Sequence, residues 1–404
     1  MLVSDLDLPA FDHTDGSLRG EAFHAALAQL ASTGWLARGP FGYITLDREA
    51  GDWFLRTRQA IFPGMKIAEI FGVSDGPLYE EMARNILHIN GADHSRLRGL
   101  VNPALSPRAV ERYRPLARDF FNGLLDEALG ESPEATFDFV QAVSRRYPSQ
   151  VIATVMGAPL DDAARLYHWS TWIQKQFDAV AMATELPAIE AAVAEFYDYA
   201  SALVAARRGE PGDDLVSRLV QAEEEGDRLT DVECVNLVFN ILVGGVDTTQ
   251  AQLAHTVRLL AEHRGQWAKL RANPALAAAA VEEALRYEPI TPFTARIALE
   301  EITYRDVTFP ADTIVMVCSF TANRDLGAPG ADRFEIDADR GLKPLTFGAG
   351  VHYCMGANLA RVELTEAISC LAERADELEL AGDAIYESIS GIYGLESLAL
   401  TVRR

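Results

Sequence analysis

The sequence contains little cysteine and little lysine. Only four of its 404 residues are cysteine, Cys234, Cys318, Cys354 and Cys370, and only four are lysine. The cysteines form neither a Cys-x-x-Cys pair nor a zinc-ligand spacing, so the pattern indicates neither a disulfide framework nor a zinc site. This usage is typical of a reducing cytoplasm, in which any important cysteine acts alone.

Positive charge and long apolar runs are also scarce. The chain has 36 basic and 59 acidic residues, a formal net charge of −23, which repels nucleic acid and anionic membranes. No run reaches 18 apolar residues, and the first 20 residues carry no signal-peptide core. These absences predict a cytoplasmic protein with no membrane span and no nucleic-acid partner.

Apolar residues, in contrast, are abundant and follow a helical period. They make up 49% of the chain, and no low-complexity linker or internal repeat divides it, so we predict one domain over 1–404. Apolar spacing of three and four residues predicts helices near 21–33, 107–130, 159–183, 188–208, 231–263, 274–287 and 355–375. Short strands are expected at 41–46, 302–304, 307–309 and 314–319, a loop-rich stretch at about 321–353 and a β-hairpin at 389–402. The predicted fold class is mainly α with small β-sheets.

The longest predicted helix, 231–263, would extend about 50 Å at 1.5 Å per residue. Thr230 and Glu233 have capping-box spacing at its start. Gly244 and Gly245 lie in its middle, where each glycine costs about 1 kcal/mol relative to alanine. Either a neighbouring helix crosses closely here, or a large flat group approaches the backbone beside Asp247 and Thr248. Asn240, Gly244 and Thr248 follow at four-residue spacing and share one helix face.

A second unusual segment surrounds Cys354. Gly348, Gly350 and Gly356 flank this cysteine just before the predicted helix at 355–375. Free N–H groups at a helix start stabilise an anion and lower the pKa of a thiol. A thiolate held there is suited to ligate a metal or to act as a nucleophile, whereas we expect the other three cysteines to be buried and structural.

The pattern Phe347-x-x-Gly350-x-His352-x-Cys354-x-Gly356 resembles the haem-binding loop of the cytochrome P450 family of haem-thiolate monooxygenases. Three further segments, in the family's order, extend the resemblance over nearly the whole chain. They are 94–98, similar to its H-x-x-x-R motif, 244–248, similar to its oxygen-activating helix, and 283–286, similar to its E-x-x-R helix. The resemblance implies the family's prism-like helical fold, with haem b between the long central helix and the helix after the cysteine loop.

The resemblance also assigns cofactor contacts. It makes Cys354 the iron ligand, whose thiolate favours O–O cleavage. Haem propionates need charged partners in an apolar site, and the positions that match are His94, Arg98, Arg296 and His352. Phe347, Gly348 and Gly244 match positions beside the haem ring, and Gly350 and Gly356 match glycines that let the backbone close on the porphyrin.

Asp247 and Thr248 match the family's proton-delivery pair, in which the hydroxyl binds ordered water and the carboxylate relays protons. Glu283 and Arg286 match a structural pair whose third member we expect to be Arg333. Positions that face the substrate match Met82, Leu87, Asn240, Val243, Pro292, Ile392 and Tyr393. Most are apolar, so the implied substrate is a lipophilic small molecule. Asn240 would either hydrogen-bond a substrate oxygen or contact a neighbouring helix.

Residues 94–118 form a basic segment with six arginines and one acid, which is either a solvated helix face or an acidic-partner site. Since no electron-transfer module is fused to the chain, the resemblance implies O2 as co-substrate and a ferredoxin with an NAD(P)H-dependent reductase. The ferredoxin would dock on this basic segment of a monomeric enzyme, with Lys343 or Arg361 adding charge. The alternatives are a peroxygenase or rearranging enzyme on the same fold, or a non-catalytic haem sensor or carrier.

Overall fold

The structure is a computed structural model, which describes residues 1–224, 229–324 and 330–404. Its α-helices are α1 Gly20–Ala31, α2 Arg48–Arg56, α3 Met65–Ile70, α4 Gly76–Arg84, α5 Gly91–Val101, α6 Pro107–Val110, α7 Arg114–Leu129, α8 Tyr147–Met156, α9 Ala163–Gln174, α10 Ala179–Thr184, α11 Leu186–Gly209, α12 Leu215–Glu224, α13 Asp231–Gly244, α14 Asp247–Glu262, α15 Arg264–Ala272, α16 Ala277–Tyr287, α17 Ser319–Arg324 and α18 Ala357–Arg374. Single turns of 3-10 or π helix precede or follow several of them. The mainly helical prediction is confirmed.

The strands are short and form small sheets. They are β1 Leu36–Gly39, β2 Gly42–Thr45, β3 Ala60–Ile61, β4 Glu134–Asp138, β5 Phe293–Ala298, β6 Ile302–Tyr304, β7 Val307–Phe309, β8 Ile314–Cys318, β9 Glu377–Leu380, β10 Ile385–Tyr386, β11 Leu395–Ser397 and β12 Ala399–Arg403. The largest sheet has the order β1-β2-β8-β5-β3, and only its β2–β8 pair is parallel. A three-stranded sheet has the order β4-β12-β9, and β6–β7 and β10–β11 are separate pairs.

One prediction about these elements is wrong. The predicted hairpin at 389–402 does not form, because β11 pairs with β10 and β12 pairs with β4 and β9. Two predicted helices form in two parts: 231–263 as α13 and α14, with a turn at Gly245 and Val246 between them, and 159–183 as α9 and α10. Residues 325–329 of the predicted loop-rich stretch lie outside the described residues.

Helix α14 occupies the centre of the molecule. Every residue from Thr249 to Ala261 is buried, so the helix has neighbours on all sides. It packs against α8, α9, α16 and α18 and against β9. Its partner α13 begins at the predicted capping box, in which Thr230 accepts from the Glu233 amide and Glu233 accepts from the Thr230 amide.

The combined span Asp231–Glu262 is the one candidate in the described residues that is long and apolar enough to cross a membrane. Of its apolar 18-residue window, 67% is buried inside the protein. That burial is typical of the central helix of a globular fold, so the span is weak evidence for a membrane helix.

Candidate active site

A cavity of about 440 Å³ lies between α13–α14 on one side and the segment 346–360 on another. Helices α4, α5 and α9 and strands β5 and β8 complete its wall. Most of the lining side chains are apolar, and the polar ones are concentrated in a few places. Such a cavity suits a lipophilic ligand that is oriented by a small number of polar contacts.

The cysteine loop brings Cys354 to the cavity wall just before α18. Its backbone amide donates to the Phe347 carbonyl oxygen at 2.9 Å, which closes the loop. The Cys354 side chain is exposed to the cavity, and desolvation by the surrounding protein raises the pKa of its thiol, while the amides of Gly356 and Ala357 lower it. The desolvation outweighs the effect of the helix start, so the predicted lowering of the thiol pKa is not found in the protein alone.

Glycine is required at position 350 for a different reason from the one predicted. Its φ is +70°, and a Cβ there would lie 2.6 Å from the Leu55 carbonyl oxygen. The glycine is therefore needed where the loop packs on α2, and it does not line the cavity. Phe347, Gly348 and Gly356 do line it, as expected.

Four nitrogen-rich side chains line the cavity near this loop: His94, Arg98, Arg296 and His352. The imidazole rings of His94 and His352 lie 4.3 Å apart between centroids. Burial lowers the pKa of Arg296 to about 10 and that of His352 to about 3. The pKa values of these basic groups fall because they are buried and no described residue places a negative charge beside them. The cluster is therefore suited to bind an anion.

Their hydrogen bonds support this interpretation. Arg98 donates to the Tyr353 carbonyl oxygen at 2.7 Å, and Arg296 donates to the Ala295 carbonyl oxygen at 2.9 Å. His94 Nε2 and His352 Nδ1 are buried without a partner among the described residues. Neither arginine forms an ion pair with a carboxylate of the described part of the chain. Two carboxylates of a bound haem would satisfy this donor set, so the residues fit the cofactor that the motifs imply.

At the turn between α13 and α14, each of the two explanations applies to one glycine of the pair Gly244 and Gly245. A Cβ on Gly245 would lie 2.7 Å from Ile152 Cγ1, so this glycine serves the crossing with α8. A Cβ on Gly244 would meet nothing within 4 Å, and this glycine lines the cavity. One glycine therefore allows close packing and the other leaves space for a ligand.

Thr248 lines the same cavity, and its hydroxyl donates to the Gly244 carbonyl oxygen at 2.8 Å. Asp247, one residue earlier, is buried behind the cavity wall and accepts from Thr171 Oγ1 at 3.4 Å. Burial raises the pKa of Asp247, while Thr171, Arg145 and Lys175 lower it. Burial and the charge of Asp247 raise the pKa of Glu387 as well. An alcohol thus faces the cavity, and the residue before it is a buried acid with a raised pKa.

The sequence matches the cytochrome P450 family over residues 74–374. The chain belongs to the cytochrome P450 family. It is 35% identical over 399 residues to luteothin monooxygenase of Streptomyces thioluteus, a match that covers 98% of this chain and 96% of that protein. It is 38% identical over 304 residues to the mycinamicin IV hydroxylase/epoxidase of Micromonospora griseorubida, a match that covers 74% of this chain and 75% of that protein.

Solved P450 structures have the same fold. The crystal structure of CalO2 superimposes with a TM-score of 0.89 at 30% identity, covering 98% of this chain and 99% of that one. P450BioI in complex with an acyl carrier protein superimposes with a TM-score of 0.85 at 28% identity, covering 95% and 99%. The protein is accordingly an oxidoreductase of the cytochrome P450 monooxygenase class, and the family's cofactor is a haem iron.

In this P450 the ion pair of Glu283 and Arg286 has a third partner, which is not the predicted Arg333. Arg286 forms two hydrogen bonds to Glu283, at 2.7 and 2.8 Å, and Arg340 Nη2 donates to Glu283 Oε1 at 2.6 Å. The predicted partner Arg333 is 65% exposed and its side chain lies beside Glu335, at 3.4 Å. Arg333 contributes only its backbone carbonyl, which accepts from Arg286 and Arg340. The assignment to Arg333 was therefore wrong.

The predicted substrate positions divide into two groups. Leu87, Asn240, Val243 and Ile392 line the cavity of this P450. Met82, Pro292 and Tyr393 do not: Met82 packs in the helical core, the Pro292 carbonyl accepts from Ser319, and the Tyr393 hydroxyl accepts from the Gly20 amide. The family resemblance located the segments correctly but could not give the direction of each side chain.

Both polar atoms of the Asn240 side chain already form hydrogen bonds with protein groups. Its Nδ2 donates to Glu81 Oε1 at 3.1 Å, and its Oδ1 accepts from the Ile86 amide at 3.1 Å. Of the two predicted alternatives, the structure supports the contact to a neighbouring helix. The residue that the sequence did not reveal here is Glu81 on α4, although Glu81 and Asn85 have the four-residue spacing of one helix face.

The basic segment 94–118 is mostly neutralised. Arg96 pairs with Glu233, Arg112 with Asp213, and Arg114 and Arg118 with Glu366. Arg361, which was expected to add charge, pairs with Glu282 and stacks on the Phe347 ring. Arg108 is exposed on α6, and it forms no ion pair within the residues that the structure describes. The predicted basic surface is thus much smaller than the sequence indicates.

Proposed function

We propose that this P450 inserts one oxygen atom from O2 into a lipophilic small molecule, by hydroxylation or epoxidation, with haem b as cofactor. The observation that carries the proposal is a single apolar cavity with Cys354 on one wall and Thr248 on another, Thr248 being backed by buried Asp247. Its relatives luteothin monooxygenase and mycinamicin IV hydroxylase/epoxidase bear names that fit this reaction class.

Each proposed site residue has a separate task. Cys354 would ligate the iron, and His94, Arg98, Arg296 and His352 would hold the two propionates. Phe347, Gly348 and Gly244 would lie beside the ring, since all three line the cavity. When bound, the haem supplies the redox chemistry that activates O2, and the protein supplies position, protons and exclusion of water.

Thr248 and Asp247 would handle the protons. The Thr248 hydroxyl is free to accept at the cavity while it donates to Gly244, so it can hold a water or a ligand oxygen in place. The raised pKa of Asp247 keeps its carboxyl able to release and regain a proton near neutral pH. Thr171, Lys175 and Glu387, which interact with Asp247, would connect it to the solvent side.

Replacing Thr248 with alanine is expected to uncouple the reaction. The variant should still consume reductant, but product per reductant should fall by at least about tenfold and hydrogen peroxide should rise, since the hydroxyl that orders the proton donor is lost. The measurement is NADPH consumed, peroxide formed and product formed, with a ligand found from its shift of the ferric spin state. Thr248→Ser, which keeps the hydroxyl, should restore coupling. Equal coupling in the alanine variant and the wild type would refute the assigned role.

We further propose that the electrons come from a ferredoxin reduced by an NAD(P)H-dependent reductase. The side of the haem site nearest to Cys354 is formed by α18 and the segment before it, and α6 packs against α18. Asn358 of α18 donates to the Leu105 carbonyl oxygen, just before α6. Arg108 therefore lies on a surface close to the cysteine loop, where its charge is available to an acidic partner.

Reversing this charge is expected to weaken the partner's binding. Arg108→Glu should raise the KM for an acidic ferredoxin several-fold at low salt, and the difference should shrink as the ionic strength increases. Arg165→Glu changes the net charge equally on α9, which packs against α11 and α13, and should leave the KM unchanged. An unaltered KM in Arg108→Glu at low salt would exclude this docking surface.

We also propose a cytoplasmic monomer whose residues 1–404 form one domain. Cys318, Cys354 and Cys370 form no disulfide in the described part of the chain, which fits a reducing compartment. The net charge of −23 makes copies of the chain repel one another.

A further inference from the structure

The cavity has a polar patch that belongs neither to the cysteine loop nor to Thr248. It consists of Glu81 on α4, Gln174 at the end of α9 and Gln176 in the turn that follows. The three side chains are only 2%, 7% and 2% exposed, yet all three line the cavity. We call these three residues the anchor patch.

Glu81 is a buried acid that forms no ion pair with the residues that the structure describes. Asn85 and Asn240 both donate to its Oε1, at 2.6 and 3.1 Å, whereas its Oε2 accepts no hydrogen bond from any described residue. Burial raises the pKa of Glu81 to about 7. A buried carboxyl with one unused oxygen is costly, and in a native protein such a group requires an explanation.

Asn85 and Asn240 are not the groups that hydrogen-bond a ligand. Asn85 Oδ1 accepts from the Leu87 amide at 2.9 Å and Asn240 Oδ1 accepts from the Ile86 amide, so both amides are used on protein atoms. They fix the Glu81 carboxyl against α13 and the chain that follows α4. The asparagines are thus positioning residues, and the capacity for a further hydrogen bond remains with Glu81.

The two glutamines add to this capacity. Gln176 interacts with Glu81, but its Oε1 is buried without a partner in the described chain. Gln174 forms no side-chain hydrogen bond with the described residues. The nearby wall is apolar, with Ile86, Leu87 and Phe177. A ligand group that satisfies the patch must therefore be polar and attached to an apolar body.

The patch lies on a different part of the cavity wall from the proposed site of oxidation. Glu81 accepts a hydrogen bond from Asn240, which precedes Thr248 by eight residues across the turn between α13 and α14. A ligand held at the patch would extend along the helix pair and present its far part beside Gly244 and Thr248.

We propose that Glu81, with Gln174 and Gln176, is the anchoring subsite for a hydrogen-bond donor of the substrate, an alcohol or a protonated amine, on a part of the cavity wall separate from Cys354 and Thr248. The proposal rests on the proposed function of the cavity as a substrate site. Glu81 accepts the donor's hydrogen, while the glutamine amides supply the remaining contacts. The subsite selects lipophilic molecules that carry such a group at one end.

The test compares ligand pairs that differ only in the donor. The probes are 1-dodecanol against dodecyl methyl ether, and protonated N,N-dimethyldodecylamine against dodecyltrimethylammonium, each below its micelle concentration. Dissociation constants for the holoenzyme are measured by calorimetry and by the ferric spin-state shift. The variants are Glu81→Gln, of equal size, and Glu80→Gln, which removes a neighbouring exposed acid on the same helix.

In at least one ligand pair, the wild type and Glu80→Gln should bind the ligand that carries the hydrogen-bond donor about tenfold more tightly than the ligand that lacks it. Glu81→Gln should bind both ligands of that pair with equal affinity. The pair that shows this preference distinguishes an alcohol from an amine. An equal preference in Glu81→Gln and the wild type, or no binding of either donor probe, would overturn the proposal. Failure of the proposed function is seen separately, since the wild type would then lack the thiolate-type spectrum of its reduced CO complex.

Discussion

Replacing Cys354 with alanine is expected to lower the rate of oxygenation by more than about 100-fold. Losing a residue that only supports a metal ligand already costs up to about 100-fold, and Cys354 is the proposed ligand itself. The reduced CO complex should lose the red-shifted Soret band that a thiolate ligand produces, because no other cysteine lines the cavity in the described chain. The measurement is the CO difference spectrum of protein reconstituted with haem, followed by product analysis.

The control for this variant is Cys370→Ala. Cys370 is buried within α18, away from the cavity lining, so its replacement should leave the spectrum intact and change only stability. A red-shifted band that persists in Cys354→Ala would contradict the assignment of the iron ligand. It would also reopen the alternative of a haem carrier that binds through another residue.

Removing Glu283 is expected to give the largest loss of stability. The alanine variant strands Arg286, which is 5% exposed on its side chain, and Arg340, which is 18% exposed. Breaking a buried charge pair in this way costs about 3–5 kcal/mol. Chemical denaturation of the holoenzyme would measure the change in free energy of unfolding.

The pH dependence of this loss has a defined sign. The pKa of Glu283 lies below its ordinary value of 4.5 because Arg286 and Arg340 hydrogen-bond its carboxylate, against the effect of burial. The pair therefore stabilises the fold fully above about pH 4.5 and less as the pH falls through the lowered pKa of the folded state. The difference between the wild type and the variant should shrink on acidification. A difference that grew in acid would contradict the ionised pair.

Two arginine variants separate the observed third partner from the predicted one. Arg340→Ala should destabilise the protein measurably, since it removes a direct bond to buried Glu283. Arg333→Ala removes an exposed contact to Glu335 and should change stability by less than about 1 kcal/mol. A larger cost for Arg333→Ala would restore the assignment that the sequence suggested.

The case of Arg333 and Arg340 shows where sequence reasoning ends. Glu283 and Arg286 are three residues apart on α16, so helix geometry alone predicts their pairing. Their third partner comes from an irregular loop, where no period gives the direction of a side chain. Arg333 does approach the pair, but it turns its carbonyl oxygen inward and its guanidinium outward.

The same distinction applies to the cavity. The cysteine loop, Gly244 and Thr248 were predictable because a motif fixes their spacing and because glycine is costly inside a helix. Met82, Pro292 and Tyr393 were assigned by position, and tertiary packing turned them away from the cavity. Glu81 has no local signal of its burial, since an acid on a short helix is usually exposed. The ion pairs of the basic segment join α7 to α18, a contact that the sequence does not show.

The predicted small strands 302–304 and 307–309 match β6 and β7, since a two-residue turn separates them. The predicted hairpin near the C-terminus failed because β11 pairs with β10, shortly before it, while β12 pairs with β4 and β9. Strand β12 lies between β4 and β9, which are separated by more than 200 residues, and only the completed fold brings them together.

The turn at Gly245 and Val246 has a mechanical consequence. A single rod of 32 residues would transmit any tilt at one end to the other, whereas two rods joined by a turn can change their angle with both hydrogen-bond ladders intact. Helix α13 is tied to α4 through Asn240 and Glu81. Helix α14 is enclosed by α16 and α18, so the two halves of the span are held by different neighbours.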